Sequence, residues 1–175
     1  MPAEALFNII DIDSQPDLTD LHAFNRYWHD IRGDTKRVGP SWQDVDLLQL
    51  PTEIVPRVCV LDVIPEGPDF QYRFWGTAIT DMHHYDLTGK SVLNLTPEHY
   101  AKCIWRQYAA VLENRKPLSF LTEVPLDDGR MTYYAASRLP LSSDGENINM
   151  IISAEEYGKD RHQLAELFKS VARLR

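Results

Sequence analysis

Three consecutive segments with strand character, separated only by tight turns, dominate the second half of the chain. They cover residues 118–126, 130–139 and 147–155. The links contain Asp128-Gly129 and Asp144-Gly145, and Asp-Gly is a strong hairpin signal. Strands joined this closely pair antiparallel, because a parallel crossover needs about a dozen residues or more. This region therefore excludes the strand–helix alternation of a Rossmann-like fold.

An earlier hairpin adds two more predicted strands. Residues 58–64 form an almost continuous apolar run rich in β-branched side chains, and residues 70–75 alternate apolar and polar side chains. The Pro-Glu-Gly-Pro sequence at 65–68 is typical of a turn, and residues 8–13 are compatible with a further short strand. The order predicts an α+β fold: one five-stranded antiparallel sheet with helices gathered on one face.

The N-terminal part of the chain is predicted to be helical. A helix begins at Thr19 or Asp20, and Gly33 is well placed to end it. A second, shorter helix is expected from Ser41 until Pro51 closes it. The apolar stripe of the first helix consists of Leu21, Phe24, Trp28 and Ile31.

Further helices are predicted in the middle and at the end of the chain. Residues 78–82 form a short helix, and Thr96-Pro97-Glu98 starts a longer one that ends near Asn114, with Thr96 as its cap and Pro97 as its first residue. Gly158 and Asp160 open a C-terminal helix. Its apolar positions are Leu164, Leu167, Val171 and Leu174.

Composition restricts the classes of partner. The chain has 18 Lys and Arg against 26 Asp and Glu, a net charge of −8, so a nucleic-acid or anionic-membrane surface is not expected. The two cysteines, Cys59 and Cys103, are too few for a disulfide scaffold. We find no secretory signal and no apolar run long enough for membrane insertion, so a cytoplasmic location is expected.

The sequence lacks the motifs that are typical of common enzymes and metal sites, and this does not favour an enzyme. We find no Gly-x-Ser-x-Gly elbow, Walker loop or Cys-x-x-Cys pair, and the sequence identifies no cofactor. His83-His84 raises the alternative of a metal or haem ligand. Neighbouring side chains diverge and rarely bind one metal, so no metal site is predicted, although a single axial histidine for haem stays open.

Aromatic residues concentrate on the predicted hairpin. Strict alternation places Phe70, Tyr72 and Phe74 on one strand face and Arg73 and Trp75 on the other. The face with Phe74 is either packed core or the lining of a small apolar pocket with a few hydroxyl groups. In the later strand, Tyr133 and Ser137 belong to one alternating set, and Tyr134 and Arg138 belong to the other.

The opposite face of the hairpin predicts an interface. An exposed Trp would leave a large apolar area in water, and the stripe of the first helix offers a cover from the same chain or from a second copy. We therefore expect a homodimer, because two-fold dimers are the commonest oligomers. The predicted interface residues are Leu21, Phe24, Trp28, Arg73 and Trp75.

Three motifs carry a family resemblance. LHAFNRYW at 21–28, YRFWGT at 72–77 and DLTGK at 86–90 resemble a bacterial family of small stand-alone PAS domains, over about residues 19–157. Family members commonly have a glycine where this chain has His83-His84-Tyr85. The resemblance implies N-terminal flanking helices (1–56), a PAS-like core (57–157) and a C-terminal helix (158–175).

The resemblance also implies a function. We expect a non-enzymatic sensory or interaction module in bacterial signal transduction, which binds a small ligand or a signalling partner protein and acts in trans through its flanking helices and a dimer face. The alternatives are a ligand-free protein–protein adaptor and a haem or metal sensor that uses His83 or His84. The predicted ligand-binding residues are Tyr72, Phe74, Ile104, Tyr108, Tyr133 and Ser137.

Overall fold

A computed structural model describes residues 3–67, 69–158 and 161–173. These residues form four α-helices: α1 (Thr19–Arg32), α2 (Thr77–His83), α3 (Glu98–Asn114) and α4 (Arg161–Arg173). They also form six strands: β1 (Leu6–Ile10), β2 (Val58–Ile64), β3 (Asp69–Trp75), β4 (Leu118–Pro125), β5 (Met131–Leu141) and β6 (Met150–Glu156).

All six strands belong to one antiparallel sheet, in the order β1-β4-β5-β6-β2-β3. The predicted α+β class and the three predicted antiparallel connections, β2 with β3, β4 with β5 and β5 with β6, are confirmed. The strand count is six rather than five, because the N-terminal segment pairs with the edge of β4, with Leu6 opposite Glu123 and Ile10 opposite Ser119.

Helices cover both faces of the sheet. The short α2 and the long α3 pack on one side, here called the inner face, as predicted. On the other side, the outer face, α1 and α4 cover a second apolar cluster. The prediction of helices on one face therefore holds only for α2 and α3. The residues of β6 are buried on both faces of the sheet, so helices are needed on both sides.

The predicted helix between Ser41 and Pro51 is replaced by two single turns of 3-10 helix, Trp42–Asp44 and Leu47–Gln49. Ser41 and Asp44 cap each other's backbone, and Asp46 accepts a bond from the N–H of Leu48. Such short-range side-chain bonds favour turns over a continuous helix.

Helix ends also differ in detail from the predictions. Pro97, not Thr96, is the N-cap of α3, and it supplies no side-chain bond. In α4, Leu164 is buried and Leu167 and Val171 are partly buried against the outer face. The predicted roles of Asp160 and Leu174 lie outside the described residues.

A close backbone approach fixes the start of α2. The Cβ of any other residue at Gly76 would lie 2.1 Å from the carbonyl oxygen of Pro56. Only glycine permits this approach, and the Gly76 N–H donates to the carbonyl of Val58 at 2.9 Å. The chain therefore turns from β3 into α2 directly beside the start of β2.

Candidate functional site

A small cavity lies between the inner face of the sheet and helices α2 and α3. Its volume is about 10 Å³, which is roughly the space of one water molecule. Strands β2, β3, β5 and β6 contribute to the wall together with both helices. The lining residues are Cys59, Tyr72, Trp75, Ile79, His83, Leu95, Tyr100, Ile104, Tyr108, Arg138 and Glu155.

An irregularity in β3 decides which aromatic side chains reach this cavity. Tyr72 pairs with Leu61, but Phe74 pairs with the adjacent Val60, so Arg73 is an extra residue in the ladder. A bulge of this kind interrupts the two-residue alternation. Trp75 consequently joins Tyr72 on the inner face, while Phe74 packs with the outer cluster. The predicted positions of Phe74 in the cavity and Trp75 on the opposite face are therefore wrong.

The two alternating sets of β5 are also exchanged relative to the prediction. Tyr134 and Arg138 lie on the inner face, and Tyr133 packs on Phe168 of α4 with ring centroids 5.7 Å apart. The hydroxyl of Ser137 accepts a hydrogen bond of 2.6 Å from Asn25 of α1. Tyr133 and Ser137 thus do not line the cavity. Because helices bury both faces, alternation alone does not identify the inner one.

Helix α3 brings the remaining predicted residues to the cavity. Ile104 and Tyr108 lie one turn apart on its buried side and, with Tyr72, form part of the wall. These three residues are therefore placed together as expected. Their role in ligand binding remains a prediction.

Arg138 is the central polar residue of the site, and its side chain is only 1% exposed. Its Nε donates to Gln107 Oε1 at 2.9 Å, and its Nη1 donates to the Tyr108 hydroxyl at 2.6 Å and to Ser153 Oγ at 2.7 Å. The guanidinium carbon also lies 4.2 Å from the centroid of the Tyr108 ring. All of these partners are neutral, so the buried cation is held by dipoles.

Glu155 supplies a carboxyl group to the same wall. It accepts a hydrogen bond of 2.5 Å from the Tyr157 hydroxyl. Burial raises the pKa of Glu155, because the charged form loses its water. Nearby, the hydroxyl groups of Tyr100 and Tyr134 share a hydrogen bond of 2.9 Å. The interior of the site therefore combines aromatic walls with several buried polar groups.

His83 closes one side of the cavity. Its ring stacks on Tyr100 at 5.8 Å and contacts Trp75 at 5.6 Å. Burial lowers the pKa of His83, because it disfavours the charged imidazolium. His84, in contrast, is exposed and ends α2 with φ of 64°. Across residues 3–67, 69–158 and 161–173, we find no group of three or more His, Cys, Asp or Glu side chains that could hold a metal ion.

The predicted interface residues are mostly buried within one chain. Leu21, Phe24 and Trp28 pack on the outer face, and the Trp28 indole donates to the carbonyl of Pro140 at 2.8 Å. Trp75 lies at the cavity, and Arg73 is exposed and pairs with Asp62 at 2.9 Å. The first helix thus covers the sheet in cis, and its apolar stripe does not form a free dimer surface.

The end of β6 connects the two faces of the sheet. Glu155 faces the cavity, while the next residue, Glu156, accepts a hydrogen bond of 3.1 Å from the N–H of Leu21 in α1. Arg57 donates to the carbonyl of Glu155 at 2.6 Å and pairs with Asp20 of α1 at 2.6 Å. The sequence does not identify Arg138 or Glu155 as a site residue, because it places Arg138 only in an alternating set and Glu155 only at a strand end.

The family of the chain follows from a comparison with family models. Residues 17–152 match the model described as a PAS domain. The chain belongs to the PAS domain family. This membership supports a sensory or interaction role. No curated protein matches the chain, and no helix among the described residues is long and apolar enough to cross a membrane.

Solved structures with the same fold include light-oxygen-voltage (LOV) domains. The dark structure of the blue-light photoreceptor Aureochrome1 LOV is 13% identical, with a TM-score of 0.51 over 74% of this chain and 94% of that one. VqmA, in a Vibrio cholera VqmA-ligand-DNA complex, is 17% identical, with a TM-score of 0.48 over 77% of this chain and 57% of that one. At an identity of 13%, the comparison with Aureochrome1 LOV shows the fold alone.

Proposed function

We propose that this PAS domain is a non-enzymatic sensory module in signal transduction, which binds a small ligand in the cavity and transmits the effect to a partner protein through α1 and α4. The observation that carries this proposal is the geometry of β6. Glu155 contributes to the cavity wall, and the adjacent Glu156 holds the first turn of α1 on the opposite face. A change at the cavity thus has a short route to a flanking helix, through the backbone from Glu155 to Glu156 and one hydrogen bond to Leu21.

The transmission would be a shift between two arrangements of the flanking helices. A ligand changes such an equilibrium only when it binds one arrangement better than the other. A ligand that contacts the cavity side of β6 meets this condition if the Glu156 contact with Leu21 belongs to one arrangement only. The partner protein then recognises the surface that α1 and α4 present. Because the chain is acidic, with a net charge of −8, we expect a protein partner rather than a nucleic acid.

A second candidate, a protein–protein adaptor without a ligand, is favoured by the size of the cavity. Its 10 Å³ is far below the roughly 300 Å³ or more of a typical small-molecule site. In this alternative the inner face is packed core, and the domain acts only through its surface. A dimer is compatible with both candidates, but its surface would not consist of Leu21, Phe24 and Trp28, which are buried in cis.

Native mass spectrometry of the protein purified from its own host separates the candidates. The sensory proposal predicts a retained small molecule that dissociates when the protein is unfolded, and the spectrum also gives the oligomeric state. The Ile104→Trp variant, which fills the cavity from α3, should lose that molecule, whereas Leu48→Trp on the exposed surface should keep it. A bare chain mass in every preparation would contradict the sensory proposal and favour the adaptor.

A further inference from the structure

Two buried hydrogen-bond donors of the cavity wall have no partner among the described residues. They are Nη2 of Arg138 and Nε1 of Trp75. The two side chains are 1% and 6% exposed, so bulk water does not reach these groups. Buried donors are paired in nearly all folded proteins, because an unpaired one has lost its hydrogen bonds to water without replacement.

Both groups need a hydrogen-bond acceptor on the ligand. Guanidinium and indole nitrogens donate hydrogen bonds and accept none. A group that only donates, such as an ammonium, would leave both unpaired. The complementary ligand atom is therefore a hydrogen-bond acceptor such as an oxygen, and both donors belong to residues that line the same cavity.

The positive charge of Arg138 favours an anionic acceptor over a neutral one. Arg138 forms no ion pair with any carboxylate of the described residues, and its three existing hydrogen bonds go to neutral groups. Arginine forms its strongest hydrogen bonds with carboxylates and phosphates. A carboxylate is the smaller of these two anions and therefore needs the smaller enlargement of a cavity that has room for about one water molecule.

We propose that the cavity binds a small monocarboxylate, whose oxygens accept hydrogen bonds from Arg138 Nη2 and Trp75 Nε1. This inference rests on the proposed ligand-binding function and specifies the class of ligand. The hydrocarbon part of the molecule packs against apolar wall residues, namely Ile79, Leu95 and Ile104.

Entry requires movement of the wall near α2. Among the lining residues only His83 is not buried, so the cavity lies closest to solvent at this side chain. Helix α2 is seven residues long and carries both His83 and Ile79. An outward displacement of α2 therefore enlarges the cavity and opens it at the same place.

Glu155 provides a test that distinguishes a carboxylate from a neutral acceptor. Its side chain lies in the same wall as Arg138, so an ionised Glu155 repels a carboxylate but not an amide. Glu155→Gln keeps an acceptor for the Tyr157 hydroxyl and removes the charge. This variant should bind a carboxylate at least threefold more tightly and leave the affinity for a neutral molecule unchanged.

The direct experiment is a titration of the ¹⁵N-labelled full chain with butyrate and benzoate, followed through the indole N–H signals of its four tryptophans. Butyramide and benzamide are the neutral controls of matching shape. The Trp75 signal is identified by its loss in Trp75→Phe. We expect a carboxylate to move this signal and to bind at least tenfold more tightly than its amide.

Variants of both donors complete the test. Arg138→Met should abolish binding, and Trp75→Phe should weaken it about fivefold, as expected for one lost hydrogen bond. Isothermal titration calorimetry measures these affinities, because Trp75→Phe lacks the Trp75 indole signal. Trp105→Phe, which changes an aromatic residue that packs on Phe70 outside the cavity wall, should leave binding unchanged. If Arg138→Met does not fold, Trp75→Phe and Glu155→Gln still decide the result.

Three outcomes would overturn the inference. Equal affinity for amide and carboxylate, or a neutral molecule retained in native mass spectra, would exclude the monocarboxylate and leave the sensory function intact. No shift of the Trp75 signal with any of the four probes, together with a bare chain mass from the host, would remove the inference and the proposed function together.

Discussion

The carboxylate of Glu156 accepts a hydrogen bond of 3.1 Å from the backbone N–H of Leu21. The last residue of β6 thereby caps the first turn of α1, a helix whose own N-cap residue, Leu18, makes no side-chain bond. The two residues are separated by 135 positions in sequence. This contact ties the flanking helix to the strand that also reaches the cavity.

Removal of this cap should loosen α1. We expect Glu156→Ala to lower the free energy of unfolding by about 1 kcal/mol, the usual contribution of a helix N-terminal cap. Urea unfolding measures this change, and hydrogen exchange should accelerate at the Leu21 amide. Glu156→Gln retains an acceptor oxygen and should recover most of the loss. Identical stability of the Ala variant and the parent would show that the contact does not hold the helix.

Substitution of the buried Arg138 should lower the free energy of unfolding far more than substitution of an exposed arginine. Arg138→Met leaves the side-chain Oε1 of Gln107 without its donor, and we expect a loss of about 2 kcal/mol in the free energy of unfolding. Arg73→Met is the matched control, because Arg73 is half exposed and its pair with Asp62 should contribute less than about 1 kcal/mol. Equal effects in urea unfolding would contradict the central structural role of Arg138.

Glu155 should make stability depend on pH. Its pKa in the folded state is raised above 4.5 by burial, so the folded chain keeps this proton at pH values where the unfolded chain has released it. The unfolded state then binds fewer protons, and stability falls as pH rises from about 4.5 to the folded-state pKa. Glu155→Gln should remove this decline and be more stable than the parent at neutral pH. A difference between the two proteins that is constant with pH would contradict this account.

Packing of α1 in cis is tested by a core truncation. Phe24 is fully buried on the outer face, so Phe24→Ala should lower the free energy of unfolding by about 3 to 5 kcal/mol. Leu48→Ala is the control, because this leucine is 91% exposed and its truncation should have little effect. A loss no larger than that of Leu48→Ala would contradict the burial of Phe24 within one chain.

Much of the fold could be predicted from local patterns. Strand β2 has the predicted bounds, Val58–Ile64, because an almost continuous apolar run rich in β-branched residues lies between Pro56 and a turn. The family motifs and the hairpin signals are sufficient to predict the PAS fold. These features depend on residues close together in sequence.

The site could be predicted only in part, because its details depend on distant contacts. Arg73 is an extra residue in β3 and exchanges the faces of Phe74 and Trp75. This bulge cannot be recognised from the sequence, because apolar and polar residues still alternate there. The choice between Tyr133 and Tyr134 depends on helices that bury both faces of β5. The buried state of Arg138 depends on partners 15 to 31 positions away.

The central claim is that occupancy of the cavity is communicated through β6 to α1. Hydrogen exchange at the Leu21 amide measures this most directly, in the protein with its retained small molecule and in the same protein after the molecule is removed. We predict slower exchange in the occupied form, because a ligand that binds only the native arrangement stabilises it. Exchange that changes in α2 and α3 but is identical at Leu21 would contradict the claim.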